Sequence, residues 1–161
     1  ADSACLGLIT GQMIGRWGNF INCEAFGRYT DCLFAMRIRR SIVNESMISQ
    51  NLIDHLILDN GIEYIQVHPT FLYESLWNFG LLMFMLWFRK RKTFTGEMLC
   101  IYLAGYGIGR AWIEGLRTDS LLIPGTQIAV SQALSVVLAT VSLVILIYNR
   151  RKAFVQRKEA N

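Results

Sequence analysis

Long apolar runs alternate with short polar segments along this 161-residue chain. The longest run, from Ile128 to Tyr148, has no charged residue, and a helix of that length covers a hydrocarbon core of roughly 30 Å. Three further runs are Cys5 to Ile21, Phe71 to Phe88 and Met98 to Leu116. The pattern predicts an all-α polytopic membrane protein, with about four transmembrane helices that belong to a larger helical bundle.

Basic clusters close two of the apolar runs and predict their orientation. The run that ends at Phe88 enters RKRK at 89–92, and the last run enters RRK at 150–152. Because cytoplasmic ends are enriched in Lys and Arg, both helices should end inside the cell, and the two others should run outward. The predicted divisions are a helix with a polar motif (1–28), an extracytoplasmic cap (29–67), three transmembrane helices (68–149) and a basic cytoplasmic tail (150–161).

The predicted cap is mixed in polarity. Ser46 to Leu58 places its apolar residues on one face of a short helix, and the following Asn60-Gly61 pair indicates a turn. The next segment, IEYIQV at 62–67, is typical of a strand. Three arginines near the start of the cap (Arg37, Arg39 and Arg40) conflict with an outside location, although the positive-inside rule weakens over longer loops.

Composition supports a bilayer environment. Apolar residues make up 53% of the chain, charged residues only 17%, and the mean hydropathy is +0.33. The net charge of +4 lies largely in the clusters that follow apolar runs, without the motifs of nucleic-acid binding, so we expect no nucleic-acid partner. The four cysteines lack the paired spacing of a metal site, and we expect no metal or other cofactor.

Ionisable residues inside membrane spans are costly and usually mark a site. Arg110, Glu114 and Arg117 share one face of the third run, and Tyr106 and Tyr102 continue that face. One interpretation is a salt bridge that holds helices together. The other is an anion site in which one carboxylate holds two guanidiniums, the side chains best suited to phosphate.

A second polar cluster lies at the end of the first run. Arg16 is followed by donors and acceptors at Asn19, Asn22 and Glu24. Three glycines, Gly15, Gly18 and Gly27, are expected to let the backbone turn and approach a ligand closely. The alternative for Arg16 is snorkelling to the lipid headgroups, which would not need the surrounding Asn and Gly.

A third cluster, VHPTFLYES at 67–75, contains His68 and Glu74. His68 could act as a general base near neutral pH. A histidine before Pro at a helix start is more often a capping or hydrogen-bonding residue, and the spacing favours that structural role for His68. The same two interpretations apply to Glu74.

Three motifs in this order resemble one enzyme family. GRWGNFINCEAFGR (15–28), HPTFLYES (68–75) and GRAWIEGLRTDS (109–120) are similar to segments of bacterial prolipoprotein diacylglyceryl transferase, and the first matches every fixed position of the family signature. The resemblance implies transfer of a diacylglyceryl group from phosphatidylglycerol to the lipobox cysteine of a prolipoprotein. It also implies a thioether product, release of glycerol phosphate and a site at the outer face of the bacterial inner membrane.

The resemblance implies roles for single residues. Arg16, Arg110 and Tyr106 would be catalytic, with the arginines binding phosphate and stabilising developing charge. The expected substrate-binding residues are Gly15, Gly18, Asn19, Glu24, Gly27, His68, Glu74, Glu114 and Arg117. Members of the family have a further N-terminal portion with a His-Gly-Gly loop, so this chain is expected to be the C-terminal part.

Two other function classes stay open at this point: a non-catalytic scaffold that binds lipid headgroups, and a fragment of a transporter. A transporter should carry polar residues near the bilayer centre on several helices. Here the polar residues gather at one level, which favours headgroup chemistry.

Overall fold

The computed structural model describes residues 2–117, 123, 125 and 129–159, apart from the side chains of residues 157 and 159. The end of the third motif, 118–120, and the predicted start of the last run at Ile128 lie outside the described residues. The helices are α1 (Asp2–Ile21), α2 (Gln50–Asp54), α3 (Thr70–Phe88), α4 (Glu97–Glu114) and α5 (Val130–Glu159). The strands are β1 (Met36–Arg39), β2 (Ile57–Asp59) and β3 (Ile62–Val67).

The long helices α1, α3, α4 and α5 pack side by side with alternating directions. At one end, Lys92 after α3 pairs with Asp2 at the start of α1 at 3.3 Å. At the other end, Gln132 of α5 donates to the carbonyl of Ala111 in α4 at 2.8 Å. Contacts at both ends place the three motifs at the same end of the bundle, which we call the motif end.

Two of the described helical segments are long and apolar enough to cross a bilayer. They are Thr70–Arg91 and Val130–Gln156, judged by length and composition. The mostly helical architecture with a small sheet is consistent with a helical membrane protein. The observed α5 continues through the predicted tail to Glu159, and its 30 residues extend for roughly 45 Å.

The predicted cap, 29–67, has its own small core and an antiparallel sheet in the order β1-β3-β2. Ile65 and Val67 of β3 are fully buried, because alternate side chains of a strand point to the same face. They pack with Ile38 and Leu52. β2 and β3 are joined by Asn60 and Gly61, with φ of 50° and 78°, the conformation that a two-residue hairpin requires.

The predicted helix from Ser46 to Leu58 is wrong in extent. Only Gln50–Asp54 is α-helical, a short 3₁₀ turn occupies Glu45–Met47, and β2 starts at Ile57. The hairpin explains the difference, since pairing of Ile57 with Tyr64 draws the end of this segment into the sheet. Backbone pairing thus prevails over the helical spacing of the apolar residues.

Candidate functional site

A buried carboxylate joins two arginines at the motif end. Oε2 of Glu74 in α3 lies 2.6 Å from Nε of Arg16 in α1, and Oε1 lies 3.5 Å from Nη1 of Arg110 in α4. The Glu74 side chain is 7% exposed, whereas the arginines are 20% and 19% exposed. Three helices are therefore linked through one carboxylate, and both guanidiniums keep an exposed portion.

A second carboxylate completes the cluster. Nη2 of Arg110 lies 2.8 Å from Oε2 of Glu114, one helical turn further along α4. Glu114 is as buried as Glu74. Two cations and two carboxylates give these four residues no net charge, so the carboxylates stabilise the two partly buried arginines.

The tertiary structure adds a carboxylate to the predicted anion site. The sequence predicted that one carboxylate in α4 would hold Arg110 and Arg117. The structure shows the predicted contact of Glu114 with Arg110, and it adds a second carboxylate, Glu74, that bridges Arg110 and Arg16. Sequence spacing could not reveal this bridge, because it connects three separate helices.

Tyr106 lies close to the arginine cluster. Together with Glu74, Arg110 and Asn78 it lines a small crevice between α3 and α4. Asn78 is buried and lies one turn beyond Glu74 on the same face of α3. The sequence analysis did not predict it as a site residue, although a polar residue four positions after Glu74 in an apolar run could have indicated it. Tyr106 also stacks on Tyr102, with ring centroids 5.8 Å apart.

The polar motif after α1 turns by an unexpected route. The glycines Gly15 and Gly18 were expected to let the backbone turn, but both lie within the continuous helix α1. The chain turns instead at Cys23 and Ala25, whose φ angles of 52° and 54° are left-handed. A residue in this conformation commonly ends a helix. The side on which a Cβ of Gly15 or Gly18 would project is open within 4 Å.

Gly27 is the point where the three motifs meet. Its amide donates to the carbonyl of His68 at 3.0 Å, and the amide of Arg28 donates to the carbonyl of Leu116 at 3.0 Å. A Cβ at Gly27 would lie 2.7 Å from Cβ of His68 and 3.0 Å from the Leu116 oxygen. Glycine is required here because neighbouring chain segments approach closely. The prediction was a close approach to a ligand, whereas the observed approach is to the other two motifs.

His68 belongs to this backbone junction and not to the ion-pair cluster. Its Nδ1 lies 3.2 Å from the Tyr73 hydroxyl, which is also 3.7 Å from Sγ of Cys32. Burial lowers the pKa of His68 and favours the neutral ring. Hydrogen bonds from Thr30 and Tyr73 lower the pKa of the exposed Cys32 thiol.

The remaining predicted residues are Asn19, Glu24 and Arg117. The exposed Glu24 accepts from the Asn22 side chain at 3.2 Å, and its own amide donates to the Asn19 carbonyl at 3.0 Å. The backbone of Arg117 forms a bridge with Gly27. The structure thus brings Arg16, Glu74, Arg110, Glu114 and Tyr106 together, with Gly27, His68 and Arg117 on the adjoining backbone junction.

Ser75 is a further residue of this region that the sequence reasoning missed. Its Oγ accepts from Nε1 of Trp17 at 3.2 Å and lies 3.2 Å from the carbonyl of Met13. Ser75 is buried and follows Glu74 directly, so it ties α3 to α1 beside the bridge. A serine within an apolar run gives little signal by itself.

Comparison with known proteins identifies the family. The family model described as prolipoprotein diacylglyceryl transferase matches residues 1–148. A phosphatidylglycerol–prolipoprotein diacylglyceryl transferase of Bacillus velezensis is 37% identical over 161 residues, which cover 100% of this chain and 55% of the relative. A protein of that name from Streptococcus agalactiae is 42% identical over 153 residues, or 94% of this chain and 52% of the relative.

The third relative is from Geobacillus kaustophilus, with 38% identity over 158 residues that cover 98% of this chain and 54% of the relative. No solved structure matches the chain significantly. The chain spans about half the length of the curated relatives it matches. The family match and these identities lead to one conclusion: the chain belongs to the prolipoprotein diacylglyceryl transferase family.

Proposed function

We propose that this chain forms the donor-phosphate site of an enzyme that transfers diacylglyceryl from phosphatidylglycerol to the lipobox cysteine of a prolipoprotein. The sulfur of the substrate cysteine forms a bond to the glyceryl carbon that carries the phosphate ester. The carbon–oxygen bond to phosphate breaks, its electron pair stays on oxygen, and glycerol phosphate leaves. The thiol proton passes to a base. The bridge from Arg16 through Glu74 to Arg110 is the observation that carries the proposal.

The leaving group explains the choice of arginines. A departing phosphate gains negative charge, and guanidiniums fixed beforehand stabilise that charge without reorganisation. The contact of Arg16 with Glu74 uses Nε, and the Arg16 side chain is 20% exposed, so its two terminal nitrogens are the proposed phosphate donors. Glu74 and Glu114 act as positioning residues, because each holds an arginine in place without being a suitable phosphate ligand.

Tyr106 is proposed to act beside Arg110. It lines the same small crevice as Glu74 and Arg110. Its proposed role is to donate a hydrogen bond from its hydroxyl to a phosphate or glyceryl oxygen of the donor. Asn19, Glu24, Arg117 and the open glycine side of α1 are proposed to border the substrate. His68 is proposed to have a structural role, because its Nδ1 lies 3.2 Å from the Tyr73 hydroxyl in the backbone junction.

The proposed location is the bacterial inner membrane, with the arginine cluster toward the outer leaflet and the C-terminus in the cytoplasm. α1 contacts the α3 segment near both ends, through Asp2–Lys92 and Arg16–Glu74. It therefore extends along most of α3, which is long and apolar enough to cross a bilayer. α4 likewise extends along α5, with the ion pair of Glu97 and Arg150 at one end and the hydrogen bond from Gln132 to the Ala111 carbonyl at the other. These contacts support four spanning helices below an extracytoplasmic cap.

The test uses the full-length enzyme in detergent micelles, with phosphatidylglycerol and a lipobox peptide. Arg110→Ala should lower thioether formation by about a hundredfold or more, as expected when one charge-stabilising donor is removed. Arg40→Ala is the matched control, because Arg40 pairs with the exposed Glu63 in the cap at 2.7 Å. Membrane insertion of both variants is measured by fractionation.

Near-normal transfer by a correctly inserted Arg110→Ala protein would overturn the proposed role. The scaffold alternative predicts another result: retention of phosphatidylglycerol by the unaltered enzyme without any thioether product. Testing the 161-residue chain in parallel shows whether these helices suffice for transfer.

A further inference from the structure

A layer of neutral polar side chains lies one helical turn beneath the bridge of Arg16, Glu74 and Arg110. Its members are Gln12 in α1, Asn78 in α3 and Tyr106 in α4, and we call it the polar layer. Each stands four positions from the bridge residue of its own helix, on the side away from the motif end. Because the ion pairs of the bridge set the three helices in register, the polar layer lies at one depth, about 5 Å below the bridge.

The polar layer has hydrogen-bonding groups that the protein leaves unused. Asn78 is 3% exposed, and within the part of the chain that the structure describes its side chain forms no hydrogen bond. Oε1 of Gln12 is also buried without a partner among the described residues. A buried amide without a partner costs free energy, and a leucine would fill a similar space without that cost. The amide of Asn78 is therefore placed to pair with a group from outside these helices.

The crevice between α3 and α4 is where such a group could enter. Asn78 and Tyr106 line it, together with the exposed Trp77, so the crevice lies near the outer surface of the helices. Its volume is about 10 Å³, which is room for roughly one oxygen atom of the size of a water molecule. The crevice can thus receive a single acceptor atom from a ligand whose remaining parts stay outside.

The proposed donor lipid carries an acceptor at this depth. A phospholipid of the outer leaflet with its phosphate at Arg16 and Arg110 directs its glycerol backbone toward the bilayer centre. Its two ester carbonyls then lie just below the phosphate, at the level of the polar layer. An amide N–H is an uncharged donor, which suits a neutral carbonyl oxygen as guanidiniums suit a phosphate.

We propose that Asn78 donates a hydrogen bond to one ester carbonyl oxygen of the donor lipid and thereby selects ester-linked over ether-linked phospholipids. This inference rests on the proposed function and adds a specificity-determining residue to it. A water molecule is the competing occupant of the crevice, since it would offer the same acceptor without any selection between lipids.

The first test compares diacyl phosphatidylglycerol with dialkyl phosphatidylglycerol of the same chain length, using the full-length enzyme and a lipobox peptide in detergent micelles. The ether lipid keeps the phosphate and the carbon–oxygen bond that breaks, but it lacks both carbonyl oxygens. We expect kcat/KM to be about tenfold higher for the diacyl lipid, which is the effect of one hydrogen bond to a buried donor. Equal values for the two lipids would assign the crevice to water and overturn the proposal.

Asn78→Leu should lower kcat/KM for the diacyl lipid about tenfold and leave the value for the dialkyl lipid nearly unchanged. The matched control is Asn149→Leu, the same change beside Arg150, whose pairing with Glu97 lies at the other end of the bundle. This control should keep the preference for the diacyl lipid. Asn78→Leu should also unfold at no lower temperature than the unaltered enzyme, because no hydrogen bond within the described residues is lost. A retained preference would overturn the proposal, and so would a clear loss of stability, which would reveal a structural partner of Asn78.

Binding measured without turnover separates this proposal from the proposed transfer. Each lipid is added to the full-length protein in an uncharged detergent, and the unfolding temperature is recorded. The diacyl lipid should raise this temperature more than the dialkyl lipid, and Asn78→Leu should abolish the difference. Such a preference in a protein that transfers nothing would support the ester site and overturn the proposed transfer. Transfer with equal use and equal binding of the two lipids would support the proposed function and overturn the ester site.

Discussion

Arg16 and Glu74 form an ion pair with 2.6 Å between Nε and Oε2, although they are 58 positions apart along the chain. The pair connects the first motif to the second, and the other oxygen of Glu74 connects both to Arg110 of the third. A single buried carboxylate thus holds the guanidiniums of two motifs in a common geometry. A substitution at Glu74 therefore tests the proposed function, because this one residue contacts both proposed phosphate-binding arginines.

Glu74→Gln keeps the side-chain size but removes the charge shared by the two arginines. We expect kcat for diacylglyceryl transfer to fall by about a hundredfold, because misplaced catalytic groups carry that order of cost. KM for phosphatidylglycerol should not rise, since the site loses a negative charge that repels phosphate. The thermal unfolding free energy in detergent should fall by about 3 kcal/mol, as for a broken buried ion pair.

The matched control for Glu74→Gln is Glu63→Gln, which makes the same chemical change at the exposed pair with Arg40. Surface ion pairs contribute about 1 kcal/mol or less, so both activity and stability should stay near those of the unaltered enzyme. A Glu74→Gln enzyme with normal kcat would contradict the proposed positioning role.

Gly27→Ala should destabilise the junction of the three motifs. The new Cβ would lie 2.7 Å from Cβ of His68 and 3.0 Å from the carbonyl oxygen of Leu116, and neither atom is at the end of a flexible side chain. We expect a loss of about 1–3 kcal/mol in thermal unfolding experiments, with lower transfer activity. Gly11→Ala is the control, because no heavy atom lies within 4 Å of its Cβ position in α1. A loss no larger than that of the control would show that the junction tolerates a side chain.

Gly109→Ala should displace Trp77. An added Cβ in α4 would overlap the indole ring, whose Nε1 donates to the carbonyl of Gly105 at 2.9 Å. Breaking this hydrogen bond should change the near-ultraviolet circular dichroism of the tryptophans and lower the unfolding temperature. Gly80→Ala introduces the same group into open space and should change neither signal. An unchanged spectrum for Gly109→Ala would contradict the observed packing.

The burial of His68 predicts a pH dependence of stability. Burial lowers its pKa in the folded protein below the ordinary value of 6.5, so the unfolded chain binds a proton more readily. The contribution of neutral His68 to the free energy of unfolding is fully present above pH 6.5, and it is lost as the pH falls toward the folded-state pKa. Unfolding temperatures measured between about pH 7.5 and 5.5 should therefore fall less steeply for His68→Gln than for the unaltered protein.

His55 is the matched control for this experiment, since it is exposed and contacts the cap through Asn51 and Tyr29. His55→Gln should retain the pH dependence that His68→Gln loses. The reverse result would assign the effect to the cap and contradict the burial argument.

Apolar periodicity determined the main elements of this protein, because a long uncharged run has few alternatives to a helix. The runs that end at Phe88 and Tyr148 became α3 and α5, and IEYIQV became β3. The local motifs also indicated the chemistry. Arg16 and Arg110 stand out in the sequence because charged residues in apolar surroundings are costly.

Only the tertiary structure decided how these residues meet. The choice of Glu74 as the shared carboxylate depends on the packing of α1, α3 and α4, which no spacing within one helix encodes. The turn at Cys23 and Ala25, in place of the glycines, depends on hydrogen bonds such as that from Thr70 to the Ala25 carbonyl. Within the segment 46–58, only Gln50–Asp54 is α-helical, and from Ile57 onward the chain forms the hairpin, since backbone pairing with β3 outweighs weak local preference.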